Sequence, residues 1–260
     1  MRLKITLSVN PRFHVLPLNY QYPVSSWIYQ RIAAADKQFG DWLHNAGFQQ
    51  KGKRYKLFTF SNIFVPKREI KGDRLHILSP TVSFQISFYA DKTVEYFILG
   101  VFDRQEFEIG DKHSKAKFFI EKVEALPVPE FNNPSTFRCL SPICVAKPLR
   151  KGNKLISEYI SPADPDFEQF FLKNLVNKYN AISGNKNKFA HGNLPFTFEL
   201  LEKPKSRLIT IKSGTREETK VRGFLFPFKL NAPVELMQLG YEAGFGEKNS
   251  LGFGCVERIK

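Results

Sequence analysis

Near the end of the chain, Gly244-Phe245-Gly246 and Gly252-Phe253-Gly254 bracket the run Glu247-Lys248-Asn249-Ser250-Leu251. Glycine reaches backbone angles that other residues avoid and lets a second backbone come close. Glycine pairs at both ends therefore demand a tightly folded loop. The spacing of apolar residues predicts a helix before it, from Pro233 to Tyr241, and a closing strand after it, from Phe253 to Ile259. A structural reading is open, with Gly244 as the helix C-cap. The cation and two small hydrogen-bonding side chains between the pairs, Lys248, Asn249 and Ser250, point instead to a phosphate guest. This is not a Walker loop, because no Gly-Lys-Ser/Thr opens a helix after it. It is not a dinucleotide fingerprint, because it follows a helix rather than a strand.

Charge narrows the guest further. Lysine and arginine number 39 against 25 aspartates and glutamates, a formal net charge of +14 over 260 residues. Such a surplus favours a polyanion, either nucleic acid or an anionic membrane. No apolar run approaches the roughly 18–20 residues of a spanning helix, which leaves nucleic acid. The opening Met1 to Leu7 alternates like a strand rather than reading as a leader. Cys139, Cys144 and Cys255 form neither a disulfide framework nor a zinc spacing. The expected compartment is the cytoplasm.

Two βαββαβ units are expected. In the first, Leu3, Ile5 and Leu7 open a strand, and helices follow over Val24–Ala35 and Gln38–Ala46. Strands are read over Tyr55–Phe64, Leu75–Ser79, Val82–Tyr89, Thr93–Phe102, Gln105–Ile109 and Phe118–Val123. The second helix comes early, and no later helix is evident in this half. Residues 126–134, rich in Pro and Asn, form the linker. The pattern then restarts with a strand over Thr136–Ala146, a helix over Phe167–Ile182, and strands over Phe196–Leu201, Ser206–Ile211 and Val221–Phe228. The expected fold is α+β, with tandem ferredoxin-like domains over residues 1–127 and 134–260, the unit that RNA-recognition modules use.

The histidines His14, His44, His76, His113 and His191 include no pair with metal-ligand spacing on one helix, and no metal or cofactor is expected. His44 points about 150° away from the apolar stripe of its helix, so it is not a core histidine. It reads as an ordinary surface residue or as a general acid or base, since imidazole titrates near neutrality. Tyr29 lies about 120° from the buried face of the preceding helix. Two consecutive helices can present both residues to one groove. The basic run Lys51-Gly-Lys53-Arg54-Tyr-Lys56 follows, either as a solvated loop or as cations beside that groove. Strand phase is awkward for Lys56, which falls on the face of Phe58 and Phe60.

These stretches, with Leu16-Pro-Leu-Asn-Tyr-Gln-Tyr22, Trp27-Ile-Tyr29, Trp42-Leu-His44, Lys56-Leu-Phe-Thr-Phe-Ser61, Leu140-Ser-Pro-Ile143 and the terminal glycine loop, make the chain resemble a known family. It is similar to the CRISPR-associated endoribonucleases of the RAMP superfamily that cut precursor CRISPR RNA in antiviral defence. The resemblance runs from end to end. It implies two ferredoxin-like domains across a basic cleft, and a metal-independent cut leaving a 2′,3′-cyclic phosphate and a 5′-hydroxyl. It implies Tyr29, His44 and Lys56 as catalytic residues. Lys51, Lys53, Arg54, Gly244, Gly246, Lys248, Asn249, Ser250, Gly252 and Gly254 are the expected RNA contacts. Expected partners are the repeat RNA of the precursor and proteins of a CRISPR effector complex, with a monomer or weak homodimer and no membrane. One rival is a non-cutting RNA-binding subunit of an interference complex, which would not need the Tyr29–His44–Lys56 set. Another is an RNA-binding protein unrelated to CRISPR, weakened by the lack of an aromatic RNP-type strand motif.

Overall fold

The computed structural model describes residues 1–152, 154–183, 188–189 and 194–259. His191 lies outside them. The chain runs β1 (Arg2–Pro17), α1 (Gln21–Ala35), α2 (Lys37–Asn45), β2 (Phe48–Gln50), β3 (Lys53–Tyr55), β4 (Phe58–Phe60), β5 (Arg68–Lys71), β6 (Arg74–Ile77), β7 (Thr81–Phe88), α3 (Asp91–Asp103), β8 (Glu106–Gly110) and β9 (Lys115–Leu126). After residues 127–134 it continues with β10 (Ser135–Cys139), β11 (Ala146–Lys151), β12 (Lys154–Tyr159), α4 (Phe167–Ser183), β13 (Thr197–Leu200), β14 (Lys205–Ile211), β15 (Thr219–Leu225), β16 (Pro227–Asn231), α5 (Val234–Ala243) and β17 (Val256–Ile259).

In the first half, β4, β7, β1 and β9 lie side by side, all antiparallel. In the second half, β13, β16, β10 and β17 repeat that order. With α1 and α3 joining the first set and α4 and α5 the second, each half is a ferredoxin-like βαββαβ unit. The first sheet alternates as a half-buried sheet must: Leu3, Ile5 and Leu7 face the helices, paired across from Ile86, Phe84 and Val82. Trp27 of α1 stacks on Phe107 and meets Phe84 and Phe97 edge-on in this core. The second core is built from phenylalanine, with Phe137, Phe171, Phe228 and Phe245 in mutual ring contact. The additions to each unit are α2, the β2–β3 and β5–β6 hairpins and β8 in the first half, and the β11–β12 and β14–β15 hairpins in the second.

Four expectations need correction. Val221–Phe228 is not one strand but the end of β15 and the start of β16, broken at Phe226. Thr93–Phe102 is not a strand but α3, the missing second helix of the first unit. It buries Val94, Phe97 and Val101 but exposes Leu99 and Phe102, so its apolar residues run around the helix and hide the helical period. Tyr55–Phe64 is not one strand. Leu57 takes a φ of 53°, which breaks the run after β3 and restarts it at β4. Thr136–Ala146 likewise stops at Cys139, and Ala146 opens a separate hairpin.

The two halves are joined by a buried arginine. Arg2 is 2 % exposed. Its guanidinium donates to the carbonyls of Val256 and Tyr241 and stacks 3.6 Å from the centre of the Tyr241 ring. Beside it the Met1 amine donates to Phe88 O and to Glu242. Replacement Arg2→Met would leave two buried carbonyls unpaired. It should cost about 3 kcal/mol, since hydrogen bonds from charged groups contribute about 1.5–3 kcal/mol each. Urea denaturation measures this; an unchanged midpoint would mean that the arginine does not hold the seam.

Candidate RNA-processing site

Each member of the predicted set comes from a different element. Tyr29 projects from α1, His44 from the last turn of α2, and Lys56 from the segment between β3 and β4. Asp36 caps α2, accepting from Phe39 N at 2.9 Å, and starts the helix so that its end lies beside α1. The Tyr29 and His44 rings then meet edge to face with centroids 4.9 Å apart, and Tyr29 also packs on Phe58. His44 is exposed, with Nδ1 3.2 Å from Asn45 Oδ1.

Lys56 reaches the same place by a route that strand phase did not suggest. It lies in no strand, because the chain breaks at Leu57. Its amine donates to His44 O at 2.7 Å, at the negative end of α2. Gly47 makes the crossing possible: a Cβ there would sit 2.6 Å from Tyr55 O and 3.1 Å from the Lys56 side chain. Burial, with Arg54 nearby, pushes the Lys56 amine down to about 8. Burial pushes the Tyr29 phenol up to about 12, against a side-chain hydrogen bond with Ser250. Ser250 belongs to the glycine loop, so the loop touches Tyr29 directly.

The loop itself is built inward. Gly244, Gly246, Gly252 and Gly254 all have φ between 68° and 90° and are all buried. A Cβ on any of them would strike protein: Asn249, Cys144 O, the Phe60 ring and Phe245 O respectively. These glycines answer first to the loop's own packing. Asn249 does too. It is 9 % exposed, and its amide nitrogen donates to Phe245 O and Phe253 O. The expected RNA contact of this side chain is corrected accordingly: both ends of the amide are used inside the loop.

The residue at the centre of the loop was not singled out from the sequence. Lys178 of α4 is 2 % exposed, and its amine donates to Gly244 O at 2.5 Å, Gly246 O at 2.7 Å and Asn249 Oδ1 at 2.6 Å. Burial pushes this amine down to about 7. Three acceptors, however, need the three hydrogens of the ammonium form. The signal was present: Lys178 continues the apolar stripe of Phe171 and Leu175 on its helix, and a lysine in a core position is unusual.

The other basic residues surround the same opening. Lys53 pairs with Glu247 of the loop at 2.7 Å, and Arg54 donates to Asn45 O at 2.9 Å. Lys51, at the tip of the β2–β3 hairpin, and Lys248 are exposed. Between this hairpin, β11–β12, α4 and the glycine loop lies a cavity of about 640 Å³. Lys53, Arg54, Lys56, Lys147, Lys173 and Lys248 stand on its walls, a strongly positive lining for a cleft between two domains. Among the described residues no three His, Cys, Asp or Glu side chains group as a metal site, and no helix is long and apolar enough to cross a membrane. All three cysteines are free thiols.

Comparison with known proteins gives this architecture a family. Residues 15–124 match the description "CRISPR-associated protein Cas6, N-terminal", and residues 126–258 match "CRISPR associated protein Cas6, C-terminal". The chain belongs to the Cas6 family. Cas6 endoribonuclease 1 of Methanocaldococcus jannaschii is 29 % identical over 100 % of this chain and 93 % of its own length. A Cas6 endoribonuclease of Pyrococcus furiosus is 31 % identical over 93 % of this chain and 83 % of its own. A solved RAMP protein, described as binding different RNA substrates, is 30 % identical, covers both chains completely and superposes with a TM-score of 0.84. This Cas6 chain shares their tandem ferredoxin-like fold.

The loop geometry predicts that Lys178→Met strands three oxygens inside a Cas6 glycine loop. It should lower stability by about 3 kcal/mol or more, at about 1–3 kcal/mol for each buried unpaired group. Chemical denaturation at pH 7 checks it; a variant as stable as the parent would show that the loop holds its shape without the ammonium.

Proposed function

We propose that this protein is an endoribonuclease that cuts the repeat of precursor CRISPR RNA by a metal-independent transesterification. The observation that carries this reading is the meeting of Tyr29, His44 and Lys56. Two aromatic side chains that can move protons stand 4.9 Å apart, with an amine bonded to the backbone of the second, at the edge of a basic cleft. Membership of the Cas6 family, and relatives named as endoribonucleases, support the substrate class.

RNA brings its own nucleophile, the 2′-hydroxyl beside the scissile phosphate. The reaction then needs a base for the 2′ proton, a donor for the leaving 5′ oxygen and a cation for charge on the phosphorane. A phenol held up at about 12 stays neutral and serves as a donor, not as a base. That favours His44 as the base and Tyr29 as the proton donor or orienting partner. Lys56 is the electrostatic stabiliser, a reading supported by its amine lying beside His44. The products are a 2′,3′-cyclic phosphate and a 5′-hydroxyl. Backbone and side chains of the loop, with Lys248 and Ser250 outermost, hold the RNA beside Tyr29, and Lys51, Lys53 and Arg54 flank the strand.

The deciding experiment is cleavage of a labelled repeat RNA from the protein's own genome, in EDTA. A single cut is expected, blocked by 2′-deoxyribose just 5′ of the scissile phosphate. His44→Ala should lose about 10²-fold or more in rate, the scale of general acid–base catalysis, while keeping its affinity. Inhibition by EDTA that magnesium reverses would defeat the metal-free mechanism. Tight binding without any cut would favour the non-cutting subunit.

Lys56 gives a pH test. An amine at about 8 is charged below that pH and loses its charge above it, so kcat/KM should fall as pH rises through about 8. Arginine stays protonated throughout. Lys56→Arg should therefore keep its activity to a pH at least about one unit higher, at a lower plateau. Superimposable alkaline limbs would remove Lys56 from the charge-stabilising role.

A further inference from the structure

Phe170, Asn174 and Lys178 stand four residues apart on α4, in one row along the wall of the cavity beside Lys56. Lys178 is spent on the glycine loop. Asn174 is not spent on anything described: it is 7 % exposed, and its Oδ1 has no hydrogen-bond partner. Tyr55, on the β3 side of the same cavity, is 8 % exposed, and its hydroxyl is also without a partner. Buried oxygens of this kind are nearly always bonded. Here the two residues that carry them, one from each half of the molecule, both line one cavity.

We propose that this cavity is a base-recognition pocket that takes one unpaired adenine of the bound RNA, read by Asn174 with Tyr55 as a second polar contact. The proposal rests on the repeat-RNA reading above. Lys56, Lys173 and Lys248 on the cavity walls suit the phosphates on either side of such a base. Phe170 offers an aromatic surface, and splayed single-stranded bases are recognised by stacking together with hydrogen bonds to their edges. The asparagine amide carries an acceptor beside a donor. That pair matches the N6 amine and N7 of adenine, the base that asparagine reads in bidentate fashion. An N6 amine would supply the missing donor to Oδ1.

The test is a binding scan with the full chain. Repeat RNA carrying 2′-deoxyribose at the cut position is made abasic at one nucleotide at a time, and affinity is measured for the parent and Asn174→Ala. One position should lose about tenfold or more with the parent, within the range of a bidentate side-chain–base pair, and lose nothing further with Asn174→Ala. At that position adenine should bind more tightly than the other three bases. Tyr55→Phe keeps the ring and should show a smaller loss coupled to the same position. Absence of any coupled position, or uniform weakening of all RNAs by Asn174→Ala, would overturn the pocket. A preference there for another base would overturn adenine. Failure of every repeat RNA to bind the parent would remove the repeat-RNA reading itself.

Discussion

A single buried ammonium holds the site together. Lys178 comes from α4, but everything it bonds belongs to the loop between α5 and β17. A loop with four left-handed glycines has much backbone freedom to lose on folding. It keeps one shape because its inward-pointing oxygens converge on a charge that has no other partner of comparable strength. Asn249 doubles the effect, accepting from Lys178 while donating to Phe245 O and Phe253 O, so that both glycine pairs are tied to one centre. Replacing water around an ammonium is costly, and only a full set of acceptors offsets it.

That fixed loop is then pressed against the other half of the molecule. Thr59 of β4 donates to Phe253 O at 2.8 Å, and the Phe60 ring lies where a side chain on Gly252 would be. Lys53 reaches across to Glu247, and Arg2 closes the far side of the seam. Tyr29 and Ser250 therefore meet across a seam that these contacts hold closed. Catalytic geometry tolerates displacements of little more than half an ångström, and such geometry is better held by helices and packed strands than by free loops.

Much of this was legible in the sequence, and what was not has identifiable causes. The glycine pattern, the exposed face of His44 and the position of Tyr29 all follow from helical and strand periods, and they lead to neighbouring side chains. Periodicity failed for α3, where Leu99 and Phe102 are apolar on the solvent side. It failed at Lys56 because one residue, Leu57, turns to positive φ, and no local pattern announces such a turn in a residue other than glycine. The resemblance makes the glycines RNA contacts, yet a Cβ on any of them would meet the protein's own backbone and side chains. The same Cα that permits close approach cannot say from sequence what approaches. Lys178 and Asn174 are buried polar residues on a largely apolar helix face, a local inconsistency in the pattern that the sequence analysis did not use.

The division of labour between the halves follows from their shared topology. Both units have the same strand order, so the β4 edge of the first and the loop before the closing strand of the second can face each other without any change in either core. Of the three side chains that meet there, Tyr29 comes from the middle of α1 and packs on the first core, while His44 and Lys56 come from the end of α2 and the segment before β4. The second unit spends its corresponding region on the glycine loop and α4. Neither half holds the whole arrangement: Tyr29, His44 and Lys56 come from the first, and the glycine loop with Lys178 from the second. The seam between them is where buried polar groups from both halves, Tyr55 and Asn174, lie without a partner.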